Sequence, residues 1–544
     1  MKYLILAFTS LSLICQFSVF GQSEIADQLL SEKYAADKPG AVALIAQNGE
    51  VLFNKAYGLA NLELGVPMNT SNVFKIGSIT KQFTAVSILM LMEQGKLALT
   101  DDITKYIADY PTHGHEITIH HLLNHTSGIK SYTSMPSFKT EARTDMSPQE
   151  LIDVFKNEPI DFEPGEQWSY NNSAYIILGH IIEVASGLSY AEYVEQHIFK
   201  PLGMNNSYYG SHSKIIPNRA SGYQPDENGY RNADYLSMTL PYAAGSLMSC
   251  VDDLLKWQQA IHRDKLISTD SKALAFTDTK LNDGSSTYYG YGWSVDEIAG
   301  TPTIEHGGGI FGYTCNAVYV PSADLYAVVL TNSNGNSPTD ITVELAAQYL
   351  GTPMMTKEPI ELPKESHTQW VGTYEFPDGV YRFITYEEGS LFSQREGSEK
   401  LRIFSTAPNS YQFEDSFTSY QFTIEDGMKT ALFESRIRKS KGLESDKEAP
   451  AERIAIELSE EILNLYVGTY ELQPGFDIAF RVREGKLYTQ ATGQPEFEVF
   501  AESETKFFLK VVNAQVEFTI GDQGVAESMT LYQGGAVMPA KRKS

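Results

Sequence analysis

The stretch KIGSITKQFTA at 75–85 places Ser78 three residues before Lys81. On a helix that spacing puts both side chains on one face. A lysine buried there is costly unless it is paired or sheds its proton, and shedding the proton makes it a base for the serine. A serine at a helix N-terminus also feels the positive end of the dipole, which favours a developing oxyanion nearby. The chemistry on offer is acyl transfer through a serine nucleophile; the bland alternatives are a helix cap and a lysine reaching for solvent. Spacing alone does not decide, because Ser211-His212-Ser213-Lys214 has it too.

Surroundings separate the two. Residues 78–94 are apolar almost all round (Ile79, Phe83, Ala85, Val86, Ile88, Leu89, Met90, Leu91, Met92) and stop at Gly95. That pattern predicts a helix buried in the middle of its domain with a glycine at its C′ position, leaving Lys81 little polar face. Residues 211–214 lie in a polar, aromatic-rich stretch ending in Ile215-Ile216-Pro217, with no apolar helix to bury the lysine. The second spacing reads as coincidence.

Two more groups follow in order, Tyr170-Asn171-Asn172 and His306-Gly307-Gly308. Together with Ser78-x-x-Lys81 they stand in the arrangement of the penicillin-recognising serine hydrolases. That family includes class C β-lactamases, D,D-carboxypeptidases, D-aminopeptidases and some esterases. Residues 40–350 resemble it further in ITIHHLLNHTSGI (117–129), NNSAYIILGHIIE (171–183), PLGM (201–204), YGYGW (289–293) and HGGGIFGY (306–313). The resemblance implies that Ser78 attacks a carbonyl and forms an acyl-enzyme, with Lys81 or the Tyr170 phenolate taking its proton. Asn172 would hold the lysine or the substrate amide, and His306, Gly307 and Gly308 would line the substrate. The backbone N–H groups of Ser78 and Gly309 would form the oxyanion hole. Where β-lactamases and carboxypeptidases usually carry Lys-Thr-Gly, this chain has His306-Gly307-Gly308. A histidine is mostly neutral at pH 7 and a glycine has no hydroxyl, so the groups that bind a carboxylate are missing. Relatives with His-x-Gly include D-aminopeptidases and esterases.

The elements that must position these residues are legible in outline. Residues 22–355 mix α and β. A helix is expected at 24–37, and a hairpin at 42–57 turning on Asn48-Gly49. Helices follow at 78–94, 149–156, 173–186, 190–198 and 252–262, strands at 288–295, 303–306, 313–320 and 325–332, and a closing helix at 339–350. A hairpin early and strands late predict an antiparallel sheet built from both ends of the domain, with a helical insert between; the resemblance makes this a β-lactamase/transpeptidase-like α/β (α+β) domain. Beyond it the chain repeats: VGTYE at 371–375 recurs at 467–471, and the same shift carries Phe404 onto Phe500 and Phe422-Thr423-Ile424 onto Phe518-Thr519-Ile520. Alternating apolar and polar residues with Gly-centred turns predict two small all-β barrels, 356–450 and 451–544. They resemble the lipocalin-like modules appended to some of these hydrolases, in the arrangement of the D-aminopeptidases.

Composition narrows the rest. The 544 residues carry a formal charge of −26, which excludes a phosphate-neutralising surface and disfavours nucleic acid as a partner. Residues 1–21 read as a signal peptide: Lys2, an apolar run from Tyr3 to Ile14, and Val19-Phe20-Gly21 at the cut. No other stretch approaches membrane-spanning length, so the mature protein is expected to be exported, periplasmic or secreted. Cys250 and Cys315 are expected as separate buried thiols. No cofactor and no metal is implied, because His113, His115, His120, His121 and His125 lack metal-ligand spacing, and the last three read as scaffold. The expected function is an exported serine hydrolase acting on D-amino-acid-containing peptides. The other readings are a class C-like β-lactamase or D,D-carboxypeptidase, an esterase, and, from another class, a non-catalytic binder of cell-wall peptides.

Overall fold

The structure, a computed structural model, describes residues 21–543 except 227–228, 336, 356–357, 415, 450–454, 474, 493, 495, 513, 522 and 534–535. The expected signal peptide falls outside the described residues but for Gly21, which begins a helix over 21–33. The chain divides into two units, 1–356 and 357–544.

The first unit is built on one antiparallel sheet. Its strands are β1 (Ala41–Gln47), β2 (Glu50–Tyr57), β3 (Ser294–Ile298), β4 (Thr301–Ile310), β5 (Tyr313–Val320) and β6 (Leu325–Thr331), in the order β3-β4-β5-β6-β1-β2. β1 pairs with β6 from Ala41↔Thr331 to Gln47↔Leu325, so the two ends of the domain meet in the sheet as expected. The β1–β2 turn has both Asn48 (φ 52°) and Gly49 (φ 81°) left-handed, the type I′ geometry that Asn-Gly favours. β1 and β6 are buried along nearly their whole length, because helices cover the sheet on both faces.

The helical insert between β2 and β3 holds the chemistry. Gly77–Ile79 forms a 3-10 turn that runs directly into the helix Thr80–Glu93. Eleven of that helix's fourteen residues are buried, including Lys81. Gly95 closes it at φ 69°. Phe83 stacks on Trp257 with ring centroids 3.9 Å apart, and the Trp257 indole N–H donates to Gln82 Oε1, so helix Val251–His262 fixes the outer face. Helix Asn172–Ser186 packs against the nucleophile helix, starting on the cap Asn171, whose Oδ1 accepts from Ala174 N at 3.0 Å.

One expected strand differs. The run expected at 288–295 begins only at Ser294, because Tyr288 (φ 55°) and Gly292 (φ 79°) are left-handed and break the extended chain. A Cβ on Gly292 would stand 2.8 Å from the Lys81 carbonyl oxygen, so the YGYGW stretch is a close-packed turn against the nucleophile helix. Among the described residues no single helix is long and apolar enough to cross a membrane.

The second unit contains two closed eight-stranded barrels, spanning Gly372–Ser445 and Gly468–Arg542. Each is preceded by a short helix, Lys364–Thr368 and Glu460–Leu463. The repeated tyrosine of VGTYE plays one role twice: Tyr374 and Tyr470 are fully buried, and each donates its hydroxyl to the carbonyl four residues back, at 2.8 and 3.0 Å. Each barrel has its own core, gathered around Phe422 in the first and Phe518 in the second.

Candidate active site

Ser78 sits on the tight turn that opens the nucleophile helix, partly exposed on the wall of a cavity. Lys81, one turn on, has no exposure at all. Its Nζ lies 2.8 Å from Asn172 Oδ1, 2.9 Å from the Ala244 carbonyl oxygen and 3.3 Å from Ser78 Oγ. Among the described residues no carboxylate pairs with it, and burial drives its pKa well below the ordinary lysine value. The geometry suits the neutral amine. Two N–H bonds serve the two carbonyl-type acceptors, and the remaining lone pair faces the Ser78 hydroxyl.

Asn172 is held in turn. Its Nδ2 donates to Thr133 Oγ1 at 3.1 Å and its backbone N–H to Ser131 Oγ at 3.3 Å, so its amide oxygen turns to Lys81. Asn171 donates to the Ile129 carbonyl and its N–H to His125 Nδ1 at 3.1 Å. His125 is therefore the scaffold expected of it. Its ring lies 4.4 Å from that of Tyr170 and 4.8 Å from that of Tyr289, and burial lowers its pKa well below the usual value.

Tyr170 covers Lys81 with its ring, the amine 4.7 Å from the centroid. Its hydroxyl is shielded from solvent and has no partner of normal hydrogen-bond geometry among the described residues. Burial raises its pKa, and the nearby Ser78 hydroxyl only partly offsets this. Of the two bases left open by the sequence, burial favours the unprotonated lysine and opposes the phenolate.

The free edge of β4 faces Ser78. β3 pairs with β4 only as far as Glu305, so its successors, His306 to Ile310, have no strand on their outer side among the described residues. A Cβ on Gly77 would lie 3.0 Å from Gly309 N, which places the backbones of Gly77–Ser78 and Gly309 side by side. Gly309 itself opens onto free space. Gly308 serves close packing instead, since a Cβ there would stand 2.1 Å from the Ile76 carbonyl oxygen and 2.6 Å from Cys315 Sγ. Both thiols, Cys250 and Cys315, are free and buried, as expected. Gly307 packs toward Asn316, its Cβ position 3.2 Å from Oδ1.

His306, expected to line the substrate, is buried, its Nε2 2.9 Å from the Tyr289 hydroxyl and its Nδ1 2.5 Å from the Gly307 carbonyl oxygen. Burial pushes its pKa down to about 4. The neutral ring donates from Nδ1 and accepts at Nε2, which fixes the start of the free edge.

Sequence reasoning passed over the cavity walls. A cavity of about 130 Å³ beside Ser78 is lined by Tyr132, Phe138, Leu236, Leu240, Ile310 and Phe311, with no charged side chain among the described residues of its wall. The loop bearing Leu240 and Ala244 is locked to the nucleophile helix: Thr84 Oγ1 donates to the Ala243 carbonyl at 2.6 Å, and Leu247 N donates to Thr80 Oγ1 at 3.1 Å. Tyr242 in that loop is held at φ 40°, a strained value for a bulky residue. The one signal that could have found it is the run LPYAAGS at 240–246, whose small residues let backbone approach the lysine. Among the described residues no cluster of three or more His, Cys, Asp or Glu could hold a metal ion.

A serine beside a buried lysine, an asparagine holding that lysine and a free strand edge beside the nucleophile define a serine hydrolase. Residues 26–350 match the family described as Beta-lactamase, and the chain belongs to that family. Residues 452–541 match a second family, described as a domain of unknown function (DUF3471). Penicillin-binding protein 4* of Bacillus subtilis (strain 168) is 27% identical over 531 residues, 95% of this chain and 97% of its own. The D-aminopeptidase of Gluconobacter oxydans (strain 621H) is 26% identical over 62% of this chain, which spans 63% of that protein's length. Esterase EstB of Burkholderia gladioli is 27% identical over 53% of this chain and 84% of its own. Among solved structures, a D-stereospecific amidohydrolase from a Streptomyces species superposes with a TM-score of 0.53 at 27% identity, over 60% of this chain and 99% of its own.

Proposed function

We propose that this chain is an exported hydrolase that forms an acyl-enzyme on Ser78 and cleaves small D-amino-acid-containing peptides and related amides. The observation that carries the reading is Lys81: buried, unpaired by any carboxylate among the described residues and 3.3 Å from Ser78 Oγ. Its neutral amine takes the Ser78 proton as Oγ attacks the substrate carbonyl. The tetrahedral oxyanion sits between the N–H groups of Ser78 and Gly309. Tyr170, a protonated phenol, relays the proton from Lys81 to the leaving nitrogen, and the same set run with water releases the acid. The chain's likeness to a D-aminopeptidase and to a D-stereospecific amidohydrolase supports amide substrates of D configuration. The apolar cavity suits a hydrophobic side chain on the acyl portion.

A second reading, ester hydrolysis, is favoured by one observation. Among the described residues the cavity wall has no cation for a substrate carboxylate and no acid for a substrate ammonium. Uncharged esters fit it as well as amides do.

Intact-mass labelling with a fluorophosphonate and with penicillin, on wild type and Ser78→Ala, tests the mechanism. An adduct on wild type alone supports it; an adduct that survives the substitution sinks it. A panel of D- and L-phenylalanine amides and esters then separates the readings. Turnover confined to esters, or indifferent to stereochemistry, rejects the D-amidase.

A further inference from the structure

The first barrel holds a cavity of its own. Strand Tyr381–Glu387 puts Arg382 in the wall of an open cavity of about 340 Å³, with Phe413, Phe433, Leu401 and the charged Arg402 and Glu414 around it. We propose that this cavity binds a small organic carboxylate with a flat apolar body, the carboxylate on Arg382 and the body against Phe413 and Phe433.

The guanidinium is stacked, not paired. Its central carbon lies 3.9 Å from the Phe433 ring centroid and 5.3 Å from that of Phe376. Among the described residues no ion pair involves it; the neighbouring Arg402 is the one that meets Glu414, at 3.8 Å. Burial raises the Tyr420 phenol and the Arg382 charge beside it pulls it back, so the cation bears on the barrel interior. A guanidinium stacked by its face keeps its N–H groups in the open plane; one edge is directed at the Tyr420 hydroxyl, and the remaining N–H groups can meet a carboxylate. The aromatic walls suit a planar body of the kind that edge or face contacts hold.

The second barrel is a built-in control. Tyr374 pairs with Arg382 in the first barrel and Tyr470 with Ile478 in the second. Tyr420 pairs with Phe433, and the matching pair is Val516 with Leu531. Ile478 and Leu531 are buried in the second barrel's core. The barrel therefore closes well with aliphatic residues at these positions, and the fold does not require a cation there. A half-buried cation without a counter-ion costs stability that a bound anion returns.

Calorimetric titration of the full chain carrying Ser78→Ala tests this, with phenylacetate as probe and phenylacetamide and inorganic phosphate as comparisons. Phenylacetate should bind saturably, and Arg382→Ile, which installs the second barrel's residue, should weaken it by about tenfold or more, the scale of a lost charge-assisted contact. Phenylacetamide lacks the charge and phosphate lacks the body, so each should bind at least about tenfold more weakly. Phe433→Leu, a gentler change, should weaken phenylacetate severalfold and reduce its stabilisation of the melting temperature. The proposal is overturned by an absence of saturation up to about 10 mM, the weak limit for a specific small-molecule site. Phenylacetate affinity unchanged in Arg382→Ile and Phe433→Leu, or amide binding equal to acid binding, overturns it as well.

Discussion

Ser78–Lys81 and Ser211–Lys214 share a spacing and nothing else. Lys81 is without exposure, its amine held by Asn172, Ala244 and Ser78. Lys214 is exposed, its amine 5.1 Å from the Tyr208 ring, and Ser211 Oγ accepts from the N–H groups of Ser213 and Lys214 in a surface turn. The difference lies in what tertiary structure does to a proton. Burial makes the first lysine a base, whereas the second stands out in water.

The comparison breaks most severely at the nucleophile. Ser78→Ala should lower kcat/KM by about 10⁴-fold or more, as loss of an activated serine does, with the acyl adduct absent from the mass spectrum. Lys81→Arg comes next. A guanidinium keeps its proton, so kcat should fall by about 10²–10⁴-fold, the range for a lost general base. The pH profile sharpens the same point. The rate requires the unprotonated amine, so it should rise with pH through Lys81's lowered pKa, and that limb should lie well below the ordinary lysine value of about 10.4. A limb near the ordinary value would mean that the lysine is not buried as described. Tyr170→Phe should cost about 10–100-fold in kcat with little change in KM, because the phenol acts on the proton in flight rather than on bound substrate. Ser211→Ala and Lys214→Ala should leave activity within about twofold and stability within about 0.5 kcal/mol, measured by the same assay and by denaturant unfolding.

How far the sequence carried this picture depended on how local the cause was. The nucleophile helix, the Asn48-Gly49 hairpin and the repeated barrels were legible because apolar period and turn residues act over a few positions. The Ser-Lys-Tyr-Asn set was legible through its resemblance to a family. His306 was not, because its role is set by Tyr289 and by the turn at Tyr288–Gly292, which the alternating residues there disguise as a strand. The Ala244 carbonyl was invisible for a simpler reason: a backbone group leaves no mark in residue type. Arg382 read as one more alternating residue in a strand, and only the barrel's closure brings Phe433 over it.

The burial of Lys81 has a consequence for the whole chain. In the unfolded protein at pH 7 that lysine carries its proton; in the folded one burial favours the neutral amine. Folding should therefore expel a proton into the buffer. The unfolded state binds more protons between the lowered folded pKa and about 10.4, so this group's share of stability grows as pH rises across that window. His306, depressed to about 4 from an ordinary value of 6.5, acts in the same direction at lower pH and should weaken the fold on acidification. The heat of unfolding measured at pH 7 in phosphate and in Tris should then differ by the two buffers' ionisation heats, and Lys81→Met should shrink that difference.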